Sequence, residues 1–489
     1  MKTRSTVYSN IDINSVCRSF LAHAAEQIPF REDVLYPMVD QYENTCVSDI
    51  MWNIFCQYSA TESQWWTTYR EKYLQREANG EPVDFREEFQ GIYRLNQEHG
   101  VDPYEVWFRR CKEVGIRPWI SVRMNDCHAG ESLKSSFFEV AKKEGWLLGD
   151  AYGYYGTCFD YRAEEVRRRM LGYVEEQLGR YDVYGLELDF MREIFCFPYL
   201  DADMKQCAAV MNDFIRRVKA VVTEAEKQWA HPIRIAIRVN RDMDQALAFG
   251  FDVRTWAAEG LVDVLVPSAR WSSADSSIPL EAWKEALSGV EISGCLESVI
   301  RTSAEGLAEL NAEMARGHAA NFLAAGADSI YLYNYYEGED LSVRDPEVWR
   351  TCGDFETIFR NRVRCVVLNQ EQSMCPPGFV RWCPLPMQLS AGVQHQLQIR
   401  TGPIPAGKQV KLIVGMDCGL EELPRIAVNG VICSNFMPSE IYIVPHSVEK
   451  GTSFYECRLE VPTVTYQQIN LQGGEKAVEL RWIEILIED

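Results

Sequence analysis

An α/β protein made of a (β/α)8 (TIM) barrel followed by an antiparallel β-sandwich is the architecture the sequence predicts, and three observations carry it. Eight short β-branched or aromatic runs recur through residues 1–365, most of them followed by a longer stretch with helical periodicity. That alternation marks parallel βαβ construction, and eight strands close a barrel. Beyond residue 365 the pattern changes to period-two alternation broken by Pro, Gly and Asn, which reads as an antiparallel sandwich over residues 366–489.

The eight runs, in order, are Ser5–Asp12, Val47–Phe55, Arg117–Arg123, Tyr184–Phe190, Ile233–Val239, Val262–Ser268, Glu291–Glu297 and Ser329–Tyr335. Helices are expected between them over Pro103–Val114, Ala163–Tyr181, Ala202–Trp229, Met243–Glu259, Gly306–Ala325 and Arg344–Asn361, several opening on the proline or acidic residue favoured in a first turn. The joints EVGIRPWI, EGLVDVLV and AAGADSIYL each place a glycine where a helix must stop in a left-handed cap before the next strand. Two excursions, residues 57–100 and 124–161, leave from the C-terminal ends of the second and third strands. They are rich in aromatics, with Trp65, Trp66, Tyr69 and Tyr73 in one and Trp146, Tyr152, Tyr154 and Tyr155 in the other. Those rings either pack the excursions or stack on a sugar. In the sandwich, QHQLQIR, KQVKLIVGM, PRIAVNGVIC, SFYECRLEV and AVELRWIEILI read as strands, with MCPPGF as the linker before them.

Composition narrows the function classes. The 489 residues carry 71 acidic and 50 basic side chains, a formal charge of −21. Such an excess repels phosphate backbones and anionic bilayers, so neither nucleic acid nor a membrane is the expected partner. Sixteen cysteines are scattered without a CxxC pair, which reads as a reduced, intracellular chain. MKTRSTVYSN supplies positive charge with no apolar run behind it, and no stretch of about 18 apolar residues follows. A soluble, cytoplasmic protein is expected; homo-oligomerisation is compatible with the sequence.

Side chains two apart on a strand share a face. Glu187 and Asp189 therefore both point into the barrel mouth, as do Arg123 with Asn125, Arg238 with Asn240, and Ser268 with Arg270. With Arg192 in the loop after the fourth strand, four arginines face one rim, where Tyr333 and Asn334 end the eighth strand. Taken singly, each arginine is a structural partner for a carboxylate such as Glu187 or Asp189. Together they suit an anionic sugar, because guanidinium forks match carboxylates and cannot be buried in number without them. Just past the third strand Asp126 and His128 can activate water, and Asp12, at the end of the first, can donate a proton if burial keeps it protonated. The bland alternative is a loop-capping His128 and an N-capping Asp12. No HxH or HExxH pair and no GxGxxG, GxxxxGK or GxSxG motif occurs, so no metal and no cofactor is expected.

The runs DPYEVWFRRCKEVGIRPWISVRMNDCH, YGLELDFMRE and VDQYENTCVSDIMWN resemble the bacterial barrels called family-10-like glycosyl hydrolases. Within that group the layout is similar to the inverting exo-sialidases of glycoside hydrolase family 156, which carry a barrel followed by a β-sandwich. The resemblance implies Asp12 as acid, His128 as base supported by Asp126, and Arg123 among the groups holding an acidic sugar. A retaining glycosidase or uronidase using Glu187 or Asp189 with Glu297, and a non-catalytic sugar-binding barrel, are the alternatives.

Overall fold

The computed structural model describes residues 6–12, 20–81, 90–127, 135–269, 274–304, 306–333, 335, 345–367, 369, 379, 384–439 and 448–489. Eight parallel strands close into a barrel: β1 (Thr6–Ile11), β2 (Val47–Phe55), β3 (Arg117–Arg123), β4 (Gly185–Asp189), β5 (Arg234–Asn240), β6 (Val264–Ser268), β7 (Glu291–Glu297) and β8 (Ser329–Tyr333). Each pairs with its sequence neighbours, and β1 closes the ring by pairing with β8 from Thr6↔Ser329 to Asn10↔Tyr333. These are the eight runs predicted. The three joint glycines, Gly115, Gly260 and Gly326, all sit at positive φ, 79°, 65° and 90°, as left-handed caps require.

Several helices hold as expected. Pro103–Glu113 starts on the side chain of Asp102, Met204–Trp229 on that of Asp203, and Glu164–Arg180 fills the connection between β3 and β4 after the second excursion. Three differ, each for a local reason. The expected Met243–Glu259 helix is two helices, Met243–Ala248 and Val253–Ala258, because Gly250 turns at φ 93° with the Phe197 ring where a Cβ would sit. The Gly306–Ala325 helix begins only at Ala312, capped by Asn311; Leu307–Glu309 instead pairs with Val299–Arg301 as a two-stranded ribbon. Arg344–Asn361 holds two short helices, Glu347–Thr351 and Phe355–Ile358, the second started by Asp354. The excursions contain helices of their own, including Tyr69–Ala78, opened by a Thr68/Glu71 capping box, and Ser136–Glu144.

Strand Val363–Val366 already belongs to the antiparallel sheets, pairing with the long last strand Val478–Glu488. The sandwich stacks that sheet against a four-stranded one containing Gln394–Arg400, Tyr466–Gln472 and Arg425–Val428. The linker segment 374–378 lies outside the described residues. Barrel and sandwich meet where helix Ala312–Ala324 runs beside Val363–Val366, and Gly317 is the reason they approach so closely: a Cβ there would lie 2.0 Å from the Arg364 carbonyl oxygen. At the same seam Arg364 and Glu484 form a buried ion pair at 2.6 Å, with Trp482 Nε1 donating to the same carboxylate. Arg400 of the sandwich holds Glu281 of the barrel with two bonds, at 2.6 and 2.9 Å. Among the described residues no helix is long and apolar enough to cross a membrane.

Replacing Gly317 with Ala must push the backbone of the Arg364 strand away. Overpacking of this kind costs about 1–3 kcal/mol. Urea denaturation of Gly317→Ala is expected to show that loss, and an unchanged midpoint would contradict the close seam.

Candidate active site

Contacts between strands that are not neighbours show which side chains fill the barrel. At the bottom, Tyr8 of β1 meets Trp119 of β3 edge to face at 5.7 Å, and Arg234 of β5 donates to Tyr8 and to Glu291 of β7. One layer up, Asn10 of β1 and Tyr331 of β8 both donate to Glu187 of β4, at 2.9 and 2.5 Å. Glu187 is fully buried there, and burial, helped by the nearby Asp189 charge, pushes its carboxyl up to about 7. Bonded to Asn10 and Tyr331 and shut off from solvent, it lies below the mouth rather than at its surface.

The top layer holds the arginines. Arg123, 1% exposed, reaches across β2 to Asp12 at 2.8 Å and bonds Asp126 at 3.2 Å, with Cys56 Sγ accepting from the same nitrogen. Arg238, 0% exposed, binds both oxygens of Asp189 at 3.1 and 3.2 Å, donates to Ser268, and lies 3.6 Å from the centre of the Tyr333 ring. Arg192 pairs with Glu193 at 3.2 Å. Burial opposes the charge of Arg123, yet the surrounding anions, Asp12 first, hold its guanidinium well above the ordinary range. All three guanidinium charges act on the Tyr333 hydroxyl, so these arginines do converge, while burial pushes that phenol upward.

They converge beneath the surface and on the protein's own carboxylates. Asp12, Asp126, Asp189, Glu193 and Glu297 set five acids against Arg123, Arg192 and Arg238 among the described residues, an excess of two. Arg123 and Arg238 thus meet the protein's own carboxylates, while Arg270, the fourth arginine of the expected set, lies outside the described residues. The openings lie at Asp12, with 15% of its side chain exposed, and at Arg192, with 10%. Asp189 is spent on Arg238 and on the backbone N–H groups of Met191 and Arg192, which it caps into a turn.

Asn125 also leaves the candidate binding set. Its amide donates to the carbonyls of Phe159 and Phe195 and accepts from Phe159 N–H, so it ties the second excursion to the mouth. Asn240 is fully buried and accepts from Asp242 N–H. Asp126 is buried, braces Arg123, and has its carbonyl held by Gln57. Glu297 ends β7 beside Tyr333 and accepts from Ser298. His128, Arg270 and Asn334 lie outside the described residues. Among those described, no group of three or more His, Cys, Asp or Glu side chains is placed to hold a metal.

The excursion aromatics mostly pack. Trp66 stands between Phe55, Phe137 and Phe159, and Tyr69 and Tyr73 are buried. Trp65 lies against Gly172, where a Cβ would be 2.1 Å from the ring. Tyr154 is the exception: it is half exposed, and its hydroxyl donates to Glu193 at 3.0 Å. Tyr154 is one of the excursion rings the sequence offers for packing or sugar stacking, whereas Glu193 is not among the site residues read from the sequence. The signal available was the acid directly following Arg192, since a buried arginine needs a carboxylate beside it.

No family model matches the chain, and no curated protein is similar to it in sequence. Among solved structures it is similar to a cycloisomaltooligosaccharide glucanotransferase from Paenibacillus sp., at 10% identity and TM-score 0.36 over 98% of this chain and 57% of that one. It is similar to α-L-fucosidase isoenzyme 2 from Paenibacillus thiaminolyticus, at 13% and 0.42 over 74% and 51%. The PgaB (BpsB) glycoside hydrolase domain from Bordetella bronchiseptica follows at 9% and 0.41 over 72% and 99%. The chain spans a little over half the length of the first two. At these values the likeness is one of chain course.

Glu187 binds its proton more tightly folded than unfolded, so the stability it supports is complete below the unfolded carboxyl value, about 4.3, and is lost as pH rises through about 7. Glu187→Gln keeps the shape and cannot ionise. Relative to the native chain, this variant is expected to gain roughly 3 kcal/mol between pH 4.5 and 8. Parallel denaturation curves at both pH values would show that Glu187 carries no such proton.

Proposed function

We propose that the protein is a glycoside hydrolase working at the C-terminal mouth of its barrel. The observation that carries the reading is Asp12: a carboxylate at the end of β1, open at the mouth, fixed from across the barrel by a buried arginine that Asp126 braces in turn. Barrel enzymes place their chemistry at the ends of their strands on this face, and a carboxylate held in one orientation before substrate arrives is what displacement at an anomeric carbon needs.

His128, five residues past the end of β3 in the sequence, is the proposed second group. Held against Arg123 at 2.8 Å, Asp12 turns a carboxylate oxygen toward a donor, a geometry that suits accepting a proton from water or attacking the anomeric carbon. The acid role expected of it therefore passes to His128, whose imidazolium can protonate the leaving oxygen near neutral pH. Bond cleavage then transfers that proton to the leaving group, and water, deprotonated by Asp12, supplies the new hydroxyl with inversion.

The narrower reading is a terminal acidic sugar such as a sialic or uronic acid, released from the non-reducing end. Arg192, reachable beside Tyr154, supports it as the partner of the sugar carboxylate, with Arg270 as a second. The excess of carboxylates in the mouth favours a neutral sugar as the second reading. The sixteen unclustered cysteines support a cytoplasmic location.

A panel of aryl sialosides, glucuronides and neutral glycosides separates these. At least one is expected to be hydrolysed without added metal, with Asp12→Asn and His128→Ala each lowering kcat by about 10²–10⁴-fold. NMR of the first-formed anomer should show inversion. Native rates in Asp12→Asn would remove the proposed site, and retention would point to Glu297 as a nucleophile.

A further inference from the structure

Along one of its strand pairs, the outer face of the smaller sheet of the sandwich carries a run of carboxamides. In the pairing of Gln394–Arg400 with Tyr466–Gln472, residues directly opposite share a face. Leu397, Ile399, Ile469 and Leu471 turn inward and are buried. Facing out are three opposed pairs, Gln394 with Gln472, Gln396 with Asn470, and Gln398 with Gln468. Gln396 donates to Asn470 at 3.1 Å; the other four make no side-chain hydrogen bond within the described residues.

Two hollows follow this array. At its outer end a groove of about 560 Å³ runs past Gln394, Gln396, Asn470 and Gln472 to Arg425. At its inner end a hollow of about 400 Å³ takes in Gln396, Gln398 and Gln468 and meets the barrel at Ser276, Ser277 and Asn321. Asn321, on the barrel helix Ala312–Ala324, is 5% exposed and its Oδ1 has no hydrogen-bond partner. A buried acceptor left open at the wall of a hollow is a place for a donor from outside.

We propose that this face binds an uncharged stretch of a glycan chain, at a site separate from the barrel mouth. Each carboxamide offers donors and an acceptor without charge, which matches sugar hydroxyls, themselves both donor and acceptor. The pairs repeat every two residues, about 7 Å apart, so the array is long enough for a short oligosaccharide. The six carboxamides themselves include no aromatic anchor, the exposed Val431 and Ile432 lying to one side beyond Arg425 and Ala427, and in a chain of net charge −21 the face is no surface for nucleic acid. The proposal stands whether or not the mouth hydrolyses glycosides.

Affinity electrophoresis of the full chain through gels holding soluble β-glucan, xylan, galactomannan or starch tests it, with dextran sulfate as the charged control. At least one neutral polymer is expected to retard the protein. The triple variant Gln396→Ala, Gln398→Ala, Gln468→Ala, all exposed positions, should weaken that retardation about tenfold while its melting temperature and reporter hydrolysis stay as in the native chain. No retardation by any neutral polymer, or equal retardation of the triple variant, would overturn the proposal. So would retardation by dextran sulfate alone. Retardation lost in Asp12→Asn and kept in the triple variant would move the binding to the mouth. Self-association of the native chain abolished by the triple variant would give the face to a second copy instead.

Discussion

Two guanidinium groups buried in the top layer of a barrel set the terms for everything around them. Arg123 and Arg238 cannot stay charged in that interior without anions in contact, and breaking such a pair by removing one partner costs about 3–5 kcal/mol. The fold meets the requirement with strands that do not neighbour one another: Asp12 on β1 answers Arg123 on β3, and Tyr333 on β8 lies against Arg238 on β5. Asp126 and Asp189, each just beyond or at a strand end, complete the neutralisation. The mouth is thus tied across its width, and Asp12, the most exposed of these carboxylates among the described residues, has little freedom to turn. The geometry proposed for catalysis follows from the electrostatic need to pair the arginines.

The layer beneath depends on the same logic with a different answer. Among the described residues Glu187 is bonded to the Asn10 amide and to the Tyr331 and Ser121 hydroxyls rather than to a cation, and burial pushes its carboxyl up, whereas Asp189 is paired with Arg238. Two carboxylates two residues apart on one strand thus have different partners, since one meets a guanidinium and the other does not. That difference seals the barrel below the mouth and makes the upper layer its floor.

Much of this was legible in the sequence. The eight strands stand out as short runs mostly rich in β-branched or aromatic residues between helical stretches, and Gly115, Gly260 and Gly326 announce the helix ends by their need for positive φ. Strand parity correctly gathered Arg123, Glu187, Asp189, Arg238 and Asn240 in one interior. What parity does not encode is depth and pairing. It cannot tell that Asn125 will be consumed by the carbonyls of Phe159 and Phe195, brought from distant positions, or that Arg238 will be covered by Tyr333. The broken Met243–Glu259 helix shows the same limit: helical periodicity runs through Gly250, and only the tertiary approach of Phe197 decides the turn. The carboxamide face likewise requires knowing which strands pair, since Gln396 and Asn470 are 74 residues apart.

The central claim is that Asp12, held by Arg123, stands at the reacting carbon of a bound sugar. A crystal structure of the full chain with a bound acidic monosaccharide, sialic or glucuronic acid, tests it most directly. The account predicts the anomeric carbon beside Asp12, with the Asp12 to Arg123 contact intact and the sugar carboxylate at Arg192. A sugar seated away from the end of β1, or an Asp12 swung off Arg123 and out of the mouth, would contradict it.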